Sequence, residues 1–326
     1  MSENKGPVYH RKHVMYTAYG LTIESEILLP ELTRVADNDD RQADVTITYG
    51  IVPKSLPDAL KGNRYFQVSR NEFYFYVPEI AHYYVGFGKT IIVEPDENTA
   101  EHRIRLFLLG SCMGMLFIHR NILAIHGGAV EIDNQGVIIA GETGAGKSTL
   151  VSAFVKEGYK YLSDDVSVIV NDDLNFGVKV LPAYPQYKLC KDAMNYLGYN
   201  VELFEQIAND KEKYAVPLNK SFQSHPIPLE FIFEIMIDDS GEDQIRAYEL
   251  FGSEKVMALI NNVYRKEFYD LIGLTPVCFK HCISIIKNIR MFRIIRPVSA
   301  FSVERQQEII FDLIKESKSV GRCCKQ

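Results

Sequence analysis

Between residues 14 and 93 the apolar positions recur every second residue in short runs. Residues 14–20, 21–27, 44–49, 65–68, 72–77, 81–85 and 90–93 each read as a strand, and Asn71, Pro78, Gly86, Gly88 and Pro95 punctuate the later ones. Short strands with turn residues at close spacing predict an antiparallel sheet. The many Tyr and Phe residues of this region fit a packed sheet face better than a ligand-stacking surface. Residues 1–13 are polar and expected to be loose, and the charged run 37–41 is expected to be a loop.

From residue 99 the period changes. Ile104, Leu106, Phe107, Leu108, Met113, Met115, Leu116 and Phe117 predict a helix over 99–119 that is buried on more than one side. The domain boundary is placed near residue 97, giving a β-rich N-terminal accessory module over 1–97 and a larger α/β domain over 98–326. Within the latter, strands are expected at 123–132, 136–140, 159–163, 166–170, 176–180, 229–237 and 289–296. Helices are expected at 148–157, 253–272, 276–288 and 302–316, with a further helical region at 188–207 and a mobile charged loop at 209–214. The acids Asp238 and Asp239 read as part of an exposed turn. The basic run Arg290, Arg293 and Arg296 reads as a solvated strand edge, with phosphate or acidic peptide as its alternative role.

Chemistry enters at residues 141–149, which fit G-x-x-x-x-G-K-[S/T] between a short apolar strand and a helix. Glycines allow successive backbone N–H groups to face phosphate oxygens, and the helix that follows offers its positive end to the same anion. Gly141, Thr143, Gly144, Ala145, Gly146, Lys147, Ser148 and Thr149 are the candidate nucleotide contacts. Lys147 is expected at the β- and γ-phosphates, and the Ser148 hydroxyl in a Mg²⁺ shell.

Two neighbours narrow the reading. If Ile132 and Val137 close the hairpin before the loop, antiparallel pairing puts His126 opposite Thr143 at the rim of the loop. The strand over 159–163 ends in Asp164-Asp165, and a parallel β-α-β unit would set both carboxylates beside the loop. One acid can hold the metal while the other accepts a proton from a hydroxyl. Lys213 and Arg265 are candidate contacts to phosphate or substrate.

Composition mainly excludes. An apolar fraction of 47% is ample for a core, and a formal charge of −6 argues against general phosphate neutralisation of nucleic acid. The six cysteines, at 112, 190, 278, 282, 323 and 324, form no C-x-x-C cluster, so reduced thiols and a cytoplasmic location are expected. No stretch reads as a signal peptide or bilayer span. Self-association is left open.

Taken together, His126-Gly-Gly, residues 141–149 and Leu162-Ser-Asp-Asp165 resemble the HPr kinase/phosphorylase group, which has the phosphoenolpyruvate carboxykinase-like nucleotide fold with a mixed sheet. The resemblance implies ATP and Mg²⁺ as cofactors, Asp164 as base for a serine hydroxyl, Asp165 with Ser148 at the metal, and His126 and Lys147 supporting transfer. The Leu-Glu-x-Arg-Gly-x-Gly segment of true HPr kinases has no counterpart downstream. The opening run Tyr19 to Leu32 resembles stand-alone kinases of lasso-peptide precursors, which implies a peptide substrate ending in serine. Kinases of HPr or of a small hydroxylated molecule such as serine, and a nucleotide-gated binding module without transfer, are the alternatives.

Overall fold

The computed structural model describes residues 13–36, 40–172, 177–208, 212–298 and 302–323. Residues 1–12, 37–39, 173–176 and 209–211, which carry parts of the expected loose terminus, charged loops and hairpin turn, lie outside the described residues. The chain divides into two compact units, Met1–His119 and Arg120–Gln326.

In the first unit the described strands are β1 (Val14–Ala18), β2 (Leu21–Ser25), β3 (Thr33–Arg34), β4 (Val45–Tyr49), β5 (Lys61–Gly62), β6 (Phe66–Val68), β7 (Glu72–Val77), β8 (Ala81–Gly86) and β9 (Thr90–Pro95). They form one sheet in the order β3-β1-β2-β4-β9-β8-β7-β6-β5. Its pairing is mixed rather than antiparallel throughout, because β4 runs parallel to both β2 and β9. The whole β5–β8 meander lies between β4 and β9, which is long enough for the crossover that parallel pairing needs. The aromatic residues do pack the sheet: Phe73, Tyr74, Phe75, Tyr83 and Tyr84 are buried, and the rings of Phe75 and Tyr83 stack at 4.5 Å.

Helices α1 (Glu101–Phe107) and α2 (Met113–His119) belong to this unit, with a π-helical stretch, Leu108–Cys112, between them. Their buried face, Ile104, Leu108, Met115 and Phe117, meets residues of the first sheet: the Tyr83 hydroxyl donates to the Ile104 carbonyl, and Phe117 lies edge-on to Tyr19. The division between units therefore falls after the helical segment, not before it at residue 97.

The second unit contains β10 (Leu123–Ile132), β11 (Gln135–Gly141), α3 (Lys147–Lys156), β12 (Lys160–Ser163), β13 (Val166–Asp172), β14 (Gly177–Val180), β15 (Gln186–Cys190), α4 (Lys191–Tyr196), β16 (Gln206–Ala208), β17 (Lys213–Pro217), β18 (Ile227–Asp238), β19 (Arg246–Glu249), α5 (Gly252–Asn261), α6 (Lys266–Ile272), α7 (Pro276–Asn288), β20 (Arg290–Pro297) and α8 (Val303–Cys323). It is mixed α/β. The main sheet runs β11-β10-β13-β14-β18-β20-β19, and β18 also pairs parallel with β11, so the path curls back to the strand before the loop. Helices α3 and α8 pack on one another, and α3 covers β10, β11 and β12, whereas α7 packs on β10, β13 and β14. Phe154, Phe231, Phe233 and Phe292, none more than 3% exposed, fill the space between α3 and the sheet.

Several local expectations change. The β10–β11 turn has two residues, Asp133 and Asn134, both at positive φ, so Ile132 pairs with Gln135 rather than Val137. Residues 188–207 are not one helix, since Tyr187 and Leu189 alternate inward and β15 pairs with β17 over Lys213–Pro217. The expected helix 253–272 is broken at Arg265, which has a φ of 58°. β20 is internal, paired with both β18 and β19, so its arginines are not on a free edge.

Candidate active site

The loop between β11 and α3 is shaped by three glycines in the left-handed region: Gly141 (φ 137°), Gly144 (φ 89°) and Gly146 (φ 97°). Gly141 has a second reason to lack a side chain, because a Cβ there would stand 2.3 Å from the Ile235 carbonyl oxygen of β18. The buried Lys147 folds back over the loop and donates to the carbonyls of Gly141 at 2.8 Å and Glu142 at 2.9 Å. Burial lowers its pKa and Asp165 and Asp164 oppose that shift. Among the described residues the hydrogen-bond partners of its ammonium are carbonyl oxygens alone, which a lysine can exchange for phosphate oxygens.

β10 lies between β11 and β12 and runs antiparallel to each. The strand leading to the loop and the strand leading to the acids therefore run in the same direction, as the sequence implies, but with one strand inserted between them. Their ends meet at one edge of the sheet. There the Ser148 hydroxyl donates to Asp164 Oδ1 at 2.9 Å. The Lys188 backbone N–H donates to Asp164 Oδ2 at 2.9 Å, so both oxygens of this buried carboxylate are engaged. Burial, and then the Asp165 charge, push its pKa up to about 6.

Asp165 differs in each respect. It has a φ of 53°, its side chain is 34% exposed, and its Oδ2 lies 3.9 Å from the Lys188 ammonium. Burial raises its pKa, but Lys188, Lys213, His126 and Lys147 together outweigh burial and hold it below the usual carboxylate range.

His126 is the fourth residue of β10, pairing with Val166 of β13 just before the strand takes up its pairing with β11. The observed register, extended by one residue past the Gly127–Ala140 pair, puts it across from Gly141 rather than Thr143. It nonetheless shares a cavity of about 480 Å³ with Thr143, Gly144, Gly146, Lys147, Ser148, Thr149, Asp165 and Lys213. Its backbone N–H donates to the Asn262 carbonyl, and burial, then the charge of Lys147, push the imidazole pKa down to about 4. The imidazole is neutral near pH 7.

The structure thus brings together the loop, Lys147, His126, both acids and Lys213. Gly141 and Ala145 shape the loop without lining the cavity, and Asp164 sits behind its wall. Arg265 is not on that wall either: it lies against the Tyr264 ring and contacts Glu267 at 3.4 Å.

Two residues were not singled out for the site by sequence reasoning. Lys188 lies in a segment that the sequence predicts as helical, although the alternation of Tyr187 and Leu189 marks a strand. Arg296 shares a basic run with Arg290 and Arg293, which pair with Glu249 and with Glu234 and Glu254. Arg296 instead donates from Nε to the Ala145 carbonyl of the loop at 3.0 Å. Strand alternation puts it on the same face as Phe292 and Ile294, the face that packs on α3.

No protein-family profile and no curated protein matches the chain. Among solved structures, the HPr(Ser) kinase/phosphatase from Coxiella burnetii is similar to it at a TM-score of 0.30 and 14% identity, over 60% of this chain and 98% of that one. A likeness of that extent defines no activity. Among the described residues no helix is long and apolar enough to cross a membrane.

Proposed function

We propose that the protein is an ATP- and Mg²⁺-dependent serine kinase of the cytoplasm whose acceptor is a peptide, with the C-terminal serine of a lasso-type precursor as the first candidate. The observation that carries this reading is the single cavity in which the phosphate loop, Lys147, His126 and Asp165 meet. The first unit, with its separate sheet, is the proposed acceptor module.

The donor set fits Mg²⁺. Ser148 and Asp164 offer a hydroxyl and a carboxylate in contact, and the ion usually takes one or two protein oxygens and completes its shell with phosphate and water. No group of three His, Cys, Asp or Glu that could cage a metal occurs among the described residues. When bound, the ion would neutralise charge on the phosphates.

The geometry supports a division of labour opposite to the one the family resemblance implies. Asp164, with both oxygens engaged next to Ser148, suits the metal side, and Asp165, on the cavity wall, suits the incoming hydroxyl. Asp165 takes the proton as the serine oxygen bonds to the γ-phosphorus and the bond to the bridging oxygen breaks, releasing ADP. Lys147, Lys188 and Lys213 offset the charge of the transferring group. Neutral His126 packs beside Asp165 and orients the acceptor.

The test incubates the protein and Mg-ATP separately with a precursor peptide ending in serine, HPr and free serine, and looks by mass spectrometry for one added phosphoryl group. The expected product is the phosphopeptide, and no product from any acceptor overturns the kinase reading. Asp165→Asn is expected to slow transfer by about a hundredfold or more while nucleotide binding is retained. Full transfer in that variant returns the base role to Asp164.

A further inference from the structure

A second cavity, of about 270 Å³, borders the same loop. It shares Gly144, Gly146, Thr149 and Cys190 with the first cavity, and Asp192, Arg296 and Gln306 line it but not the first. We propose that this cavity is the nucleoside site of the bound triphosphate and that Gln306 makes it selective for a purine with a 6-amino group. The inference rests on the reading of the loop as a nucleoside triphosphate site.

Gln306 carries the argument. It is 4% exposed, and its Nε2 donates to the Ser302 carbonyl at 3.3 Å and to the Ser302 hydroxyl at 3.1 Å. A carbonyl oxygen only accepts, so the nitrogen end of the amide must face Ser302 and the oxygen end is fixed the other way. Among the described residues Oε1 receives no hydrogen bond. Gln306 lines the cavity, and its Oε1, unmatched and held away from Ser302 but not sealed off, is open to a donor from a ligand.

The other walls suit the rest of a nucleoside. The Asp192 carboxylate is exposed and can accept from ribose hydroxyls. Arg296 is fixed through Nε and Nη1 to the carbonyls of Ala145 and Pro297, and its Nη2 lies 3.8 Å from where a Cβ on Gly146 would be. That leaves a cationic donor beside the glycine that opens α3, where the phosphate chain would pass from one cavity to the other. An adenine amine would complete Gln306, whereas the 6-oxo group of hypoxanthine would set one acceptor against another.

The experiment compares ATP, ITP and inorganic tripolyphosphate with Mg²⁺ on the full chain by calorimetry, and follows alkylation of Cys190, an exposed thiol that lines both cavities, by peptide mass spectrometry. ATP is expected to bind about tenfold or more tightly than ITP and to protect Cys190, and Gln306→Leu is expected to make the two nucleotides equal. Equal affinities in the unaltered protein sink the selectivity, without recourse to a variant that might misfold. Tripolyphosphate binding as tightly as ATP shows that the nucleoside contributes nothing and sinks the site, while the phosphate loop stands. No binding by any of the three removes the loop reading and this inference with it.

Discussion

Asp164 is a carboxylate held where its charge is costly. Its pKa is raised to about 6, so the folded state binds its proton more tightly than the unfolded chain does. The contribution to stability is therefore fully present below the unfolded value near 3.8 and is lost as pH rises through about 6. Asp164→Asn removes that cost and keeps both contacts, because the amide oxygen can accept from the Lys188 N–H and the amide nitrogen can donate to Ser148 Oγ. The variant is expected to melt higher than the parent at pH 7.5, with the gain shrinking to nothing near pH 4, as thermal scans across that range would show. A lower melting temperature at pH 7.5 would mean that the carboxylate stabilises the fold. At this scale the sequence was informative where chemistry is local. The loop, the acid pair and His126 lie within about forty residues and carry recognisable types. Lys188 and Arg296 were illegible as site residues because their position depends on which strands they join.

The loop's glycines separate two kinds of constraint at the scale of an element. Gly144 needs only its left-handed backbone, since nothing lies within 4 Å of a Cβ placed there. Gly141 needs that backbone and also the close approach of β18. Gly144→Ala is expected to cost about 1 kcal/mol of stability, and Gly141→Ala about 2–4 kcal/mol, because a β18 carbonyl would have to retreat. Denaturant titrations of the two variants would check the order; equal losses would mean that the sheet yields freely. The same scale shows where periodicity falls short. A five-residue strand such as β15, set between turn residues and a short helix, is too brief to separate period 2 from period 3.6 in a helix-rich composition. β20 looked like an edge because its charges recur every third residue. Pairing uses those charges: Arg293 meets Glu234, itself only 6% exposed, and Arg290 meets Glu249.

At the scale of the molecule, the cavity of the proposed active site, the second cavity and the core cluster around them are all built from residues after His119. A chain of residues 120–326 is accordingly expected to fold and to bind Mg-ATP within about threefold of the full protein, measured by calorimetry, while losing phosphorylation of a peptide acceptor. Loss of nucleotide binding in that fragment would show that the first unit is needed to complete the site. The sequence conveyed this layout in outline, a β-rich part followed by an α/β part. It missed the position of the division because a helix buried on several sides does not reveal which core buries it. The insertion of β10 between β11 and β12 was equally hidden, since chain order does not record strand order.

The loop's own anchors have a consequence for how the protein is made. Gly141 rests on the β18 backbone at Ile235, and Ala145 is held by Arg296, a contact between residues 151 apart in the chain. On a ribosome the phosphate-binding motif emerges long before either anchor. A nascent chain that has exposed the whole motif still lacks the strands that shape it, and the proposed nucleotide capture would wait for nearly the entire polypeptide. On the proposed reading, triphosphate binding would therefore report the completion of folding and not merely the presence of the motif.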